Sequence, residues 1–197
     1  MCILHPPFRL ANANDASRLA ALVNFAGDGL PLYLWQKRAK PGEDPWQIGR
    51  DRQAEKATDG TVVVMDDGDG AVASLTGYVI GAGPEPIDPG LSALLRPLLE
   101  LENMALNSWY VNVLACYPAR RGAGIGTGLL DIAEQLARAA GLGRMSVIVA
   151  DDNTGARRLY ERHGFKFAAS APCAKQDWDA ATKEWQLMIR TLSPRGS

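Results

Sequence analysis

Arg121, Gly124 and Gly126 lie in the run Arg120-Arg121-Gly122-Ala123-Gly124-Ile125-Gly126-Thr127, where glycines recur every second position. A glycine turn lets consecutive backbone N–H groups converge, and a helix starting directly after it adds the positive end of its dipole. The flanking segments predict that setting. Trp109-Tyr110-Val111-Asn112-Val113-Leu114-Ala115 is rich in β-branched and aromatic residues, and Tyr117-Pro118 breaks the strand. Downstream, Leu129, Ile132, Ala133, Leu136, Ala137 and Ala140 recur at helical spacing, with Gly141 placed as a C-terminal cap. Strand, turn and helix start together make a candidate pyrophosphate cradle.

Two other glycine loops fail on spacing. A dinucleotide fingerprint needs G-x-G-x-x-G, and Thr127 stands where its third glycine belongs. A nucleotide-triphosphate loop needs Gly-Lys-Ser or Gly-Lys-Thr, whereas Gly126 is followed by Thr127 and Gly128. The pattern Arg or Gln, two residues, Gly, one residue, Gly is met by Arg121, Gly124 and Gly126. With the phrase from Leu114 to Gly126, it resembles the coenzyme A signature of the GNAT superfamily of acyl-CoA-dependent N-acetyltransferases, with Cys116 where valine is more usual.

A second segment strengthens the resemblance. Met145-Ser146-Val147-Ile148-Val149-Ala150 reads as a buried strand, followed by capping side chains at Asp151-Asp152-Asn153-Thr154 and a short helix. Ala156, Leu159, Tyr160 and His163 share one face of that helix, which Gly164 can end before Phe165. Asn153, Ala156, Leu159-Tyr160-Glu161 and Gly164-Phe165 resemble the second conserved region of the same superfamily, one helix beyond the first.

The resemblance implies an α/β fold: a mixed, mostly antiparallel central sheet flanked by helices, whose central strands splay to admit the pantetheine arm of acetyl-CoA. It implies that Leu114, Ala115 and Cys116 face that arm with main-chain groups. The amides of Arg121, Gly122, Ala123, Gly124, Ile125, Gly126 and Thr127 are expected to hold the pyrophosphate, and Asn153 and Tyr160 to touch the coenzyme. A backbone N–H near Ala115 or Cys116 is then the oxyanion donor, and Tyr160 the general acid for the departing thiolate.

An alkyl ammonium must also lose a proton before it attacks. Some members of the superfamily use a glutamate on the signature strand, and the matching position here is Tyr110, a departure from the pattern. Tyrosine is a poor base at neutral pH, so Tyr110 would position substrate or relay a proton through water. Strand alternation puts Ser108, Tyr110 and Asn112 on one face, a candidate polar wall. Glu100 and Glu102 are the nearest preceding carboxylates, and either can act as base through water. The expected reaction is direct acetyl transfer to a small-molecule or peptide amine in a ternary complex. The alternatives are a non-catalytic acyl-CoA-binding or regulatory module, or an acyltransferase using another acyl group or acceptor. A homodimer is common in the superfamily.

The remaining sequence positions these motifs. Phe8 to Ala11 reads as a strand, and Asn14 or Asp15 as the cap of a helix carrying Leu19, Ala20 and Val23. A helix from Leu32, a polar helix from Pro45 to Lys56, and a hairpin of Thr61–Met65 with Ala71–Ile80 follow. Pro97 is expected to interrupt or kink the leucine-rich segment 91–101, and Glu184 to Arg190 to form a closing strand. Tyr33, Trp35 and Trp46 are chiefly core candidates, and Glu134 and Arg138 have ion-pair spacing.

At 197 residues, 47% of them hydrophobic, the chain is expected to form one acetyltransferase domain, 1–197. A formal net charge of -1 leaves no electrostatic footprint for nucleic acid or an anionic membrane. Cys2, Cys116 and Cys173 have no paired spacing, so no metal site is expected. Prolines 6 and 7 and the lack of a membrane-length apolar run predict no membrane association and a cytoplasmic protein.

Overall fold

A computed structural model describes residues 4–193, so Cys2 lies outside the described residues. These residues group into two compact units, one of 4–77 with 113–129, the other of 78–112 with 130–193.

In the first unit β1 (Phe8–Leu10) pairs antiparallel with β2 (Val62–Asp66), and β2 with β3 (Ala71–Ile80). The β2–β3 connection is the expected hairpin, with left-handed Gly68 (φ +102°) and Gly70 (φ +113°) in its turn. Helices α1 (Ala16–Ala26), α2 (Leu30–Arg38) and α3 (Pro45–Thr58) pack on one another. Leu19 of α1 joins Ala57 of α3, Val62 and Val64 of β2 and Ala71 of β3 in one apolar cluster.

The N-terminal cap differs from expectation. Asn12, rather than Asn14 or Asp15, caps a short 3-10 turn before α1, its side chain accepting from Asn14 N at 2.9 Å. Asp15 instead accepts Asn12 N at 2.9 Å and the two terminal Arg9 guanidinium nitrogens at 2.7 and 2.9 Å. Buried to 4% exposure, its carboxylate satisfies that cation and leaves α1 without a side-chain cap.

In the second unit β4 (Ser108–Cys116) pairs parallel with β5 (Arg144–Ala150). β7 (Glu184–Thr191) pairs antiparallel with both β5 and β6 (Lys166–Pro172), giving the order β4-β5-β7-β6. Helix α4 (Arg96–Glu102) packs on β5, β6 and β7. Pro97 does not interrupt this helix. It lies in its first turn, where its missing N–H breaks no helical bond. Helix α5 (Ile125–Ala139) precedes β5, and α6 (Thr154–Arg162) follows it. Glu134 of α5 accepts Arg138 at 2.9 Å, as its spacing predicts, and also Arg190 of β7 at 2.6 Å. Mostly antiparallel strands, one parallel pair and flanking helices give the expected mixed α/β fold.

Candidate active site

Alternation along β4 buries Val113 and Ala115 in a cluster with Leu22 and leaves Leu114 and Cys116 half-exposed. Burial raises the Cys116 thiol above its ordinary range, while Arg121 and Arg120 oppose the shift. Tyr117 then anchors the chain: its N–H donates to Val72 O at 3.0 Å and its hydroxyl to Arg18 O at 3.3 Å. Phe25 meets its ring edge-on at 5.9 Å. A 3-10 turn from Pro118 to Arg120 follows, and Arg120 is ion-paired to Asp67 of the β2–β3 hairpin. Asp67 and Arg18 escape sequence reading because they lie 53 and 99 residues from the groups they hold.

Gly122 and Gly124 are left-handed, at φ +82° and +78°. The first helical bond of α5 runs from Gly128 N to Gly124 O at 3.1 Å. Among the described residues, the N–H groups from Gly122 to Thr127 have no backbone acceptor, and most of this stretch is exposed. Amides without a backbone acceptor in and before the first turn of a 15-residue helix can bind an anion. Gly128 has a packing role, since a Cβ there would come within 2.8 Å of the Phe8 ring.

In the second unit β4 pairs with β5 from Trp109↔Met145 to Val111↔Val147, while β5 continues to Ala150 against β7. Past β5, the Asn153 side chain accepts Ala156 N at 3.1 Å and caps α6. The exposed Asn153 therefore spends its oxygen on the helix and keeps its amide nitrogen for another partner. Arg157 donates to Asp151 O at 3.3 Å, and Arg158 is exposed. His163 contacts Leu159 O through Nδ1 at 2.9 Å, a helix-end arrangement.

Tyr160 is 5% exposed, and burial pushes its phenol well above the ordinary tyrosine range. It stays protonated at neutral pH, as a proton donor must. Among the described residues its hydroxyl has no hydrogen-bond partner.

The wall expected from Ser108, Tyr110 and Asn112 is mostly interior. Ser108 is buried against Ser146 Oγ at 2.7 Å and Ala105 O at 2.6 Å, Tyr110 is 4% exposed, and only Asn112 is exposed. Burial first, then Glu102, Tyr78 and Tyr160, raise the Tyr110 phenol, with an Asn112 hydrogen bond opposing. It is therefore a fixed neutral group at neutral pH.

The two candidate carboxylates separate clearly. Glu100 is exposed, whereas half-buried Glu102 accepts the Tyr78 hydroxyl at 2.7 Å. Burial raises the Glu102 carboxyl, and the Tyr78 hydrogen bond offsets part of that shift. A carboxylate with raised proton affinity is better matched to accept a proton near neutral pH. Tyr78, which no sequence motif contains, joins Glu102 and Tyr110 in this cluster.

Among the described residues no group of His, Cys, Asp and Glu is arranged to hold a metal, and no helix is long and apolar enough to cross a membrane.

The acetyltransferase (GNAT) family matches residues 30–165, a span containing both the glycine loop and α6. A mycothiol acetyltransferase from Beutenbergia cavernae is 38% identical over 79 residues, 40% of this chain and 26% of that protein. The matched part of this chain thus spans about a quarter of that relative's length. PH1933 from Pyrococcus horikoshii OT3 superposes with a TM-score of 0.62 at 16% identity, covering 95% of this chain and 98% of that one. The PaiA N-acetyltransferase from Thermoplasma acidophilum, solved in complex with coenzyme A, gives 0.55 at 12% identity over 93% and 97%. At these identities the two structures establish a shared fold.

Proposed function

Because the chain belongs to the acetyltransferase (GNAT) family, we propose that it transfers an acetyl group from acetyl-CoA to an amine of a small molecule or peptide, by direct attack in a ternary complex. Residues 1–197 are read as one acetyltransferase domain. Acetyl-CoA supplies the acyl group as a thioester, open to attack by an uncharged amine.

The amides of Arg121 to Thr127 bind the pyrophosphate, and the main chain of Leu114, Ala115 and Cys116 borders the pantetheine arm. Asn153 offers its amide nitrogen to the same arm. Tyr160, neutral and otherwise unpartnered, donates a proton to the departing sulfur. Glu102 accepts the proton that the acceptor ammonium must lose, and buried Tyr110 packs behind it against Tyr78 as a neutral phenol.

The observation that carries this reading is the half-buried Glu102 carboxylate, whose Oε2 accepts the Tyr78 hydroxyl at 2.7 Å. It supplies a base where the signature strand has none. The test is calorimetric titration with acetyl-CoA, using NADH and ATP as comparison ligands, followed by free-thiol release with a panel of amines. Selective micromolar binding and amine-dependent thiol release are expected. Binding without release from any amine would leave a coenzyme-binding protein and remove the transferase reading.

A further inference from the structure

Tyr78 lies on β3, 24 residues before Glu102, and its hydroxyl donates to Glu102 Oε2 at 2.7 Å. Its ring meets Tyr110 with centroids 5.2 Å apart at 65°, and Tyr110 is buried. The phenol that holds the carboxylate thus packs against a buried ring. Glu102 Oε1 has no hydrogen-bond partner among the described residues.

A carboxylate on a flexible side chain samples many orientations, and fixing one of its oxygens directs the other. We propose that Tyr78 is a positioning residue, whose hydroxyl holds Glu102 Oε2 so that Oε1 is presented to the acceptor ammonium. The inference rests on the reading of Glu102 as base. The ammonium N–H bond breaks, an O–H bond forms at Oε1, and nitrogen keeps the electron pair with which it attacks the acyl carbon.

The titratable groups facing Glu102 are Tyr78 from β3 and Tyr110 from β4. No charged group from β5, β6 or β7, on which α4 packs, is among the causes that move its proton affinity. The Tyr78 hydrogen bond favours the ionised carboxylate, so its loss raises the pH at which Glu102 gives up its proton.

The test is a pH titration of the full chain carrying 13C-labelled glutamate side chains, with Glu102→Gln identifying the Glu102 signal. Tyr78→Phe keeps the ring contact and removes only the hydroxyl. It is expected to move the Glu102 midpoint upward by about 0.5 to 1 pH unit, and the acid limb of kcat/KM with it. An unmoved midpoint, with Glu102→Gln inactive, would overturn the role of Tyr78 alone. Full turnover by Glu102→Gln on an accepted amine would remove the base reading and this inference together.

Discussion

The rings of Tyr160 and Phe165 lie 5.6 Å apart, tilted by 60°, on either side of the end of α6. The reversal closes through Phe165 N to Tyr160 O at 3.0 Å, with Gly164 left-handed at φ +80°. The ring of Tyr160 is therefore held by the chain turn itself. Its packing does not depend on the hydroxyl.

Tyr160→Phe is accordingly expected to keep the fold and the affinity for acetyl-CoA while turnover falls by about 10²-fold or more. Rates measured from acid to alkaline pH on one accepted amine provide the check. Wild-type rates at every pH would take the general-acid role away from Tyr160.

Glu102→Gln is expected to reduce kcat/KM by about 10² to 10⁴-fold. In the wild type the acid limb should lie above the ordinary glutamate range, because the folded-state proton affinity is raised. The stability effect has a definite sign. A carboxyl raised on folding contributes stability that is fully present below its unfolded pKa and is lost as pH rises through its folded pKa. At neutral pH Glu102→Gln should therefore melt at or above the wild-type temperature while being less active. A clear fall in Tm would mean that the ionised carboxylate is well solvated.

For the cradle, Gly124→Ala and Gly124→Glu separate conformation from charge. A Cβ at Gly124 meets no atom within 4 Å, so its cost is the left-handed backbone alone, about 1 kcal/mol. Alanine should weaken acetyl-CoA binding modestly, whereas glutamate places a negative charge at the start of α5 and should abolish it. Calorimetry on both variants distinguishes these effects. Micromolar binding by a folded Gly124→Glu protein would remove the pyrophosphate assignment.

Gly49→Ala probes the helical packing of the first unit. A Cβ there would come within 2.5 Å of Trp35, whose ring is buried and packs at 5.7 Å from Trp46. Overpacking of this kind costs about 1–3 kcal/mol, measurable as a lower Tm or denaturation midpoint. Adding Trp35→Phe should recover part of the loss. Unchanged stability would mean that α2 yields easily against α3.

What the amino-acid sequence determined by itself is the set of features encoded over short stretches. The glycine run after β4, the periodicity of α5, the capping residue Asn153 and the hairpin around Gly68 and Gly70 each depend on neighbours a few residues apart. Turn chemistry and 3.6-residue periodicity act at that range, so the coenzyme signature and the mixed α/β fold are legible in one dimension. Pro97 reads in the sequence as a break in the leucine-rich segment, and the same fixed φ that breaks a helix interior suits the first turn of α4, where it lies. Only the tertiary structure decided that Asp15 serves Arg9 rather than α1, that Tyr110 is interior and that Gly49 lies against Trp35. It also distinguished Glu102 from Glu100 by bringing Tyr78 to one of them. Burial and proton affinity arise from atoms distant along the chain, and strand alternation specifies a face without specifying what covers it.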